Sequence, residues 1–203
     1  YVIPAAGVAA VVQSRRMSTA AAATPIPPAK VWTPEDLLRL DDAINYELED
    51  GQLVERAMGA VSSWVGGEVY GLLRDYIRRH RIGWVLPSDA SYQCFPDAED
   101  RVRKPDVSFI RFGRLPEEEL PRGHIPIAPD LAVEVMAPHE NAVDLDRKIV
   151  QYLGAGVRLV WIVNPDLRAV RVYRPDGTAR LVPEPAELDG ADVLPGFRCP
   201  VRD

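Results

Sequence analysis

The stretch Leu131-Ala132-Val133-Glu134-Val135-Met136 decides the fold, because it is an almost continuous apolar run with one carboxylate inside it. Short apolar runs rich in β-branched residues are typical of central strands that are covered on both faces. A charge in such a strand is costly unless it is paired, hydrogen-bonded or bound to a cation. Glu134 is therefore either a strand-edge or ion-paired structural residue, or part of a functional site.

Helix and strand patterns alternate on both sides of this run, and turn residues separate them. The predicted helices are a short one from Thr33 to about Asp42, an amphipathic one over 61–80, and one capped by Asn141 that ends before Gly154. The predicted strands cover 84–86, 91–95, 107–110, 131–136, 158–163 and 169–173. The turn dipeptide Asp50-Gly51 predicts a β-hairpin over 46–55, with Glu47, Glu49 and Glu55 on its polar face. This order predicts an α/β or α+β fold, a mixed sheet flanked by helices with an N-terminal hairpin extension.

Composition and charge limit the classes to which the protein can belong. The 203 residues, 47% hydrophobic and 27% charged, fit one globular domain over 31–203. The net charge of −6 argues against general coating of nucleic acid, although a local basic face stays open. No apolar run approaches the length of a membrane span. Cys94 and Cys199 have no metal-ligand spacing, which favours a reducing cytoplasm.

The first 30 residues are predicted to form a flexible, Ala- and Pro-rich arm outside the folded domain. Met17 is the expected natural start, so residues 1–16 are interpreted as upstream or expression-derived sequence.

Three residues together suggest chemistry. Asp106 opens a predicted strand after Arg103-Lys104-Pro105, and Lys148 lies beside the apolar stripe of a predicted helix. Taken alone, Pro-Asp is a common turn and a helical lysine is usually solvated. Two carboxylates from adjacent strands, however, offer Mg²⁺ its preferred oxygen ligands, and a nearby lysine can orient or deprotonate an attacking water. That set suits phosphodiester hydrolysis.

From about Asp42 to Phe197 the sequence resembles the Uma-two (Uma2) restriction endonuclease family of the PD-(D/E)XK nuclease superfamily. The landmarks, specific as an ordered set, are Tyr46-Glu47-Leu48-Glu49-Asp50-Gly51, Lys104-Pro105-Asp106-Val107, Pro129-Asp130-Leu131-Ala132-Val133-Glu134-Val135, Lys148 with Tyr152, Gly156-Val157, Trp161-Ile162-Val163-Asn164-Pro165 and Leu194-Pro195-Gly196-Phe197.

The resemblance implies a restriction-endonuclease-like core and a nuclease site that uses Mg²⁺ or Mn²⁺ on DNA. Asp106 and Glu134 match the acids of the motif. The superfamily places a lysine two residues after the second acid, where this sequence has Met136, so the resemblance implies that Lys148 on the following helix replaces it. Glu47 matches an early family glutamate that joins the site; the alternative is a solvated hairpin residue.

Other side chains are candidates for substrate contact. Gln93 is either a substrate contact or a polar edge-strand residue, and Arg103 and Lys104 precede the site aspartate. The basic groups that are candidates for phosphate contact also include Arg101 and the cluster Arg74, Arg78, Arg79, His80 and Arg81. A solvated helix end, where cations favour the helix dipole, is the alternative for that cluster.

The leading hypothesis is a Mg²⁺-dependent DNA endonuclease. A non-catalytic binding or assembly module with the nuclease fold is the main alternative, since fold does not imply activity. A metal-dependent hydrolase of a small phosphorylated substrate is a third. Trp161 and Phe197 in the final segment also suggest a homodimer.

Overall fold

The computed structural model describes residues 30–57, 59–138 and 141–202. The helices are α1 (Pro34–Leu38), α2 (Ala60–His80) and α3 (Ala142–Gly154). The strands are β1 (Tyr46–Glu49), β2 (Gln52–Glu55), β3 (Gly83–Pro87), β4 (Val107–Arg111), β5 (Leu131–Val135), β6 (Leu159–Asn164), β7 (Ala169–Tyr173), β8 (Ala179–Pro183), β9 (Glu187–Asp189) and β10 (Arg198–Pro200). None of the helices in this described part has the length and apolar content that a membrane crossing requires.

Six strands form the central sheet in the order β3-β4-β5-β6-β7-β8. β5 and β6 are parallel, and the other neighbouring strands in this sheet are antiparallel. A parallel pair needs a crossover connection, and α3 supplies it between β5 and β6. Every residue of β5 is buried, as its apolar run predicts. The mixed sheet flanked by helices is confirmed.

Helices cover the two faces of the sheet and create two main apolar clusters. On one face, Leu73 and Ile77 of α2 pack with Phe109, Val133 and Trp161. On the other face, α3 contributes a stripe of buried residues to a cluster with the small and branched side chains of β5 and β6: Leu145, Ile149, Tyr152, Ala132, Val160 and Ile162. The stripe predicted for α3 therefore faces the sheet.

The β1–β2 hairpin turns at Asp50-Gly51, as predicted, and both turn residues have positive φ values of 49° and 70°. Outside the hairpin, the backbone of Leu48 exchanges two hydrogen bonds with Val102, at 3.0 and 2.9 Å. These bonds fix β1 against the segment that leads to Asp106, and they bring Glu47 close to the same segment.

Several element predictions are wrong. The first helix ends at Leu38, and a 3₁₀ turn follows at Ala43–Asn45, so it stops short of Asp42. Residues 91–95 do not form a strand, because only Tyr92 has isolated bridge partners there. Strands β8, β9 and β10 were not predicted, since their polar and proline-containing segments lack clear alternation.

The described residues from 31 onward form one compact unit. The prediction of a flexible arm concerns residues that, apart from Lys30, lie outside the described part of the chain.

Candidate active site

Asp106 and Glu134 lie at neighbouring ends of β4 and β5. Val107 is opposite Val133 where this antiparallel pairing ends; Asp106 directly precedes Val107, and Glu134 directly follows Val133. Asp106 Oδ2 also accepts a hydrogen bond of 2.8 Å from the backbone N–H of Val135. The two carboxylates predicted as metal ligands are therefore brought to one edge of the sheet.

Lys148 approaches Glu134 from α3. Its Nζ lies 3.2 Å from Glu134 Oε2 and 3.3 Å from Glu47 Oε2. One turn later on the same helix, the Tyr152 hydroxyl donates a 2.6 Å hydrogen bond to Glu134 Oε1. Residues four apart share a helix face, so the crossover helix delivers both groups to the same carboxylate.

Glu47 is buried, with 1% of its surface exposed, so the solvated alternative and its place on a polar hairpin face are both wrong. Its Oε1 accepts a 2.7 Å hydrogen bond from the Lys104 backbone N–H, and its Oε2 lies 3.1 Å from an Arg103 nitrogen. Glu49 is also paired with Arg103, whereas Glu55 is exposed as predicted. The hairpin packs against residues 101–104, and this packing removes the polar face that alternation implied.

The electrostatics differ among the three acids. Burial raises the pKa of Glu134, and the negative charges of Asp106 and Glu47 add to this, although Lys148 opposes it. Burial likewise raises the pKa of Asp106. Burial also acts to raise the pKa of Glu47, but the charges of Lys148 and Arg103 outweigh it and lower the pKa below its ordinary value. Neighbouring positive charges thus keep Glu47 ionised, whereas they do not fully offset the effect of burial at Asp106 and Glu134.

Arg56 is a site residue that sequence reasoning missed. It directly follows β2, and one guanidinium nitrogen lies 3.0 Å from Asp106 Oδ1. Nothing in the local sequence separates it from a solvated arginine after a strand. A cavity of about 190 Å³ lies beside this pair, and its wall includes Arg56, Asp106, Ser62, Gly66 and Gly67.

The predicted DNA-contact residues are placed differently. Arg101, Arg103 and Lys104 are buried: Arg103 contacts Gln151, Glu47 and Glu49, and the Lys104 ammonium donates to the Ala43 carbonyl. Gln93 lies outside any strand and donates to the Glu99 carbonyl at 2.8 Å. Contacts with protein groups therefore occupy all of these side chains, and their role toward substrate stays a prediction.

The basic cluster at the end of α2 is exposed, as a phosphate-binding face would need. Gly66, at the cavity, precedes Arg78 by twelve helical residues, which is about 18 Å along the axis. The cluster is thus separate from the acidic pair. Met136, where the superfamily pattern has lysine, places its sulfur 3.3 Å from nitrogens of Asn164 and Arg171.

The donor set suits a hard divalent cation. Within residues 30–57, 59–138 and 141–202, no group of three or more His, Cys, Asp or Glu side chains is arranged to hold a metal ion. Mg²⁺, however, is commonly held by one or two carboxylates, while waters and substrate phosphates supply the other ligands. Asp106 and Glu134 fit that requirement.

Comparison with known proteins agrees with this fold. Among solved structures, the chain is similar to a putative nuclease of DUF820 from Anabaena variabilis, with a TM-score of 0.70, 21% identity, and coverage of 84% of this chain and 96% of that chain. This likeness shows the fold. No curated protein matches the chain. The family model described as "Uma2: Putative restriction endonuclease" matches residues 34–202. The chain therefore belongs to the Uma2 family, as its ordered landmarks predicted.

Proposed function

We propose that the protein is a Mg²⁺- or Mn²⁺-dependent DNA endonuclease, with Asp106 and Glu134 as metal ligands. Family membership supports a nuclease. The observation that carries the finer proposal is the meeting of two strand-end carboxylates with Lys148, whose ammonium contacts Glu134 at 3.2 Å. When bound, the divalent cation supplies activation of water and stabilisation of the charge that develops on phosphate.

The other side chains of the proposed site have different roles. Lys148 holds an ammonium beside Glu134, where it orients the attacking water or offsets phosphate charge. Glu47 is a positioning residue, because its carboxylate fixes Lys148 while Arg103 and the Lys104 N–H fix the carboxylate. Tyr152 orients Glu134 by donating to Oε1, whereas Lys148 contacts Oε2. Burial raises the pKa of its hydroxyl well above the ordinary value, so that group stays a donor.

DNA is the expected substrate, and the exposed end of α2, about 18 Å along the helix axis from Gly66, offers its phosphates a positive surface. Arg78 and Arg79 lie on that surface. Their replacement by glutamine should weaken DNA binding and reduce its salt dependence, while the rate at saturating DNA stays near that of the wild type. Arg147→Gln, at an exposed position on α3, is the matched control for loss of charge.

The test is metal-dependent nicking of supercoiled plasmid. Asp106→Asn, Glu134→Gln and Lys148→Gln should each abolish nicking, because each change keeps the size of the side chain while removing its charge. Asp146→Asn and Glu55→Gln, both at exposed positions, should nick at the wild-type rate. Loss of activity in the control variants, or full activity in Asp106→Asn, would refute the assignment.

One observation favours the non-catalytic alternative: Asp106 pairs with Arg56 and Glu134 with Lys148, so both acids have structural partners. A wild-type protein that neither binds a divalent cation in calorimetry nor nicks DNA would establish that alternative.

The proposal includes a cytoplasmic location, where DNA is accessible and Cys94 and Cys199 stay reduced. It also includes a homodimer, although Trp161 and Phe197, whose expected exposure suggested it, are buried in the core. Light scattering that gives a monomer mass would reject the dimer.

A further inference from the structure

Arg56 is held more firmly than an ordinary surface arginine. Its side chain is only 8% exposed. Besides Asp106, its guanidinium donates to the carbonyl oxygens of Ser88 at 3.0 Å, Lys104 at 3.1 Å and Ile44 at 3.3 Å. A group anchored at four acceptors does not swing away from Asp106 readily, so its positive charge is a fixed feature of the site.

We infer that Arg56 is a positioning residue that keeps the affinity of the site for divalent cations low until a DNA phosphate enters the adjacent cavity. This inference rests on the proposed function, since it concerns the same carboxylate. Among the described residues, each carboxylate oxygen of Asp106 has one hydrogen-bond donor, Arg56 on Oδ1 and the Val135 N–H on Oδ2. Each oxygen thus keeps a lone pair for a cation, but a cation there meets the repulsion of the guanidinium.

The cavity explains how this repulsion is relieved. It lies between Arg56, Asp106 and the first turns of α2, and its lining includes Ser62 and Ser63 together with Gly66, which leaves room near the helix. A phosphate bound there faces Arg56 and offsets its charge. Binding of the phosphate and of the cation then strengthen each other by the same factor, as linkage requires.

The test is the Ca²⁺ affinity of full-length protein, measured by calorimetry with and without a short DNA duplex. Ca²⁺ takes the same hard oxygen ligands. We expect Arg56→Gln to bind Ca²⁺ at least tenfold more tightly than the wild type in the absence of DNA. DNA should then tighten binding less in Arg56→Gln than in the wild type. Arg56→Lys keeps the charge and should resemble the wild type, as should Arg147→Gln.

The sign of the effect separates this role from a structural one, because a merely damaged site would bind Ca²⁺ more weakly. An affinity of Arg56→Gln that is weaker than, or within threefold of, the wild-type value would overturn the inference. If Arg56→Gln fails to fold, the wild type decides: saturating Ca²⁺ should shift the Arg56 guanidinium resonance, assigned by its absence in Arg56→Lys, and an unmoved resonance would refute the role.

Failure of the proposed function has a different signature. In that case wild-type protein neither nicks plasmid nor binds Ca²⁺, and Arg56→Gln does not bind it either. If the wild type nicks DNA and binds Ca²⁺, and Arg56→Gln has the same affinity, only the role of Arg56 is refuted.

Discussion

Arg103→Met is expected to destabilise the protein by about 3 kcal/mol, although the substitution preserves much of the side-chain volume. Arg103 is buried, and its guanidinium bonds to Gln151 Oε1 at 2.8 Å, to Glu47 Oε2 at 3.1 Å and to Glu49. Its removal leaves two carboxylates in a low-dielectric region without their shared cation.

The size of this destabilisation follows from the contacts that Glu47 and Glu49 keep after the substitution. Removing one partner of a buried ion pair costs about 3–5 kcal/mol, because the other charge stays buried and uncompensated. Glu47 keeps Lys148 at 3.3 Å and the Lys104 N–H at 2.7 Å, and Glu49 keeps Arg101 at 3.4 Å. These surviving contacts place the cost at the lower end of that range.

Urea unfolding measures the effect. With a slope of about 2 kcal/mol per M, the midpoint should fall by about 1.5 M. The control is Arg147→Met, because Arg147 and Asp144 form an exposed pair of a kind worth less than about 1 kcal/mol. Glu47→Gln in the Arg103→Met background should recover part of the loss, since it removes the stranded charge. A loss below about 1 kcal/mol in Arg103→Met would refute the reasoning.

Three further predictions use the same unfolding assay. The folded-state pKa of Glu47 is lowered, so its stabilising contribution is full above the ordinary carboxyl pKa and lost as pH falls. The folded-state pKa of Glu134 is raised, so its penalty is absent below the ordinary value and grows as pH rises through the raised pKa. Glu47→Gln should therefore destabilise and Glu134→Gln stabilise at pH 7, and both differences should shrink toward pH 4; equal signs at pH 7 would contradict this. Tyr152→Phe should cost about 1–3 kcal/mol because a buried carboxylate oxygen loses its donor, and no change would contradict that contact. Gly66→Ala should stabilise the folded protein by up to about 1 kcal/mol, since the new Cβ meets its neighbours at 3.9 Å. Gly83→Ala should instead destabilise it by about 2 kcal/mol or more, because its Cβ would lie 2.1 Å from a β4 carbonyl oxygen. The opposite order of stabilities would contradict the packing.

The sequence was sufficient for the helices and strands that carry strong local patterns. The apolar run around Glu134 predicted a central strand, and the Asp50-Gly51 turn predicted the hairpin. The residues around Tyr92 are β-prone but make only isolated bridges, because their partners are irregular segments rather than an adjacent strand. Local preference does not reveal which segments become neighbours.

The sequence likewise identified some residues of the candidate site and missed others. Asp106, Glu134, Lys148 and Glu47 were identified from the sequence, and the structure brings them together. Arg56 was missed because its proximity to Asp106 arises from the docking of the hairpin, and no spacing pattern records a contact across fifty residues. The same docking buries Arg103 and Lys104, which their position just before Asp106 had suggested for DNA contact.

The hydrogen bond from the Val135 N–H to Asp106 affects how relatives of this protein should be interpreted. The β4–β5 register ends at Val107 and Val133, so the aspartate oxygen takes a backbone donor just beyond the paired residues. Asparagine can still accept that bond, whereas alanine leaves the N–H without this acceptor. A lineage that loses catalysis should therefore tolerate asparagine more readily than alanine at this position. Persistence of Asp or Asn at this position would indicate selection for the hydrogen bond to the Val135 N–H as well as selection for activity.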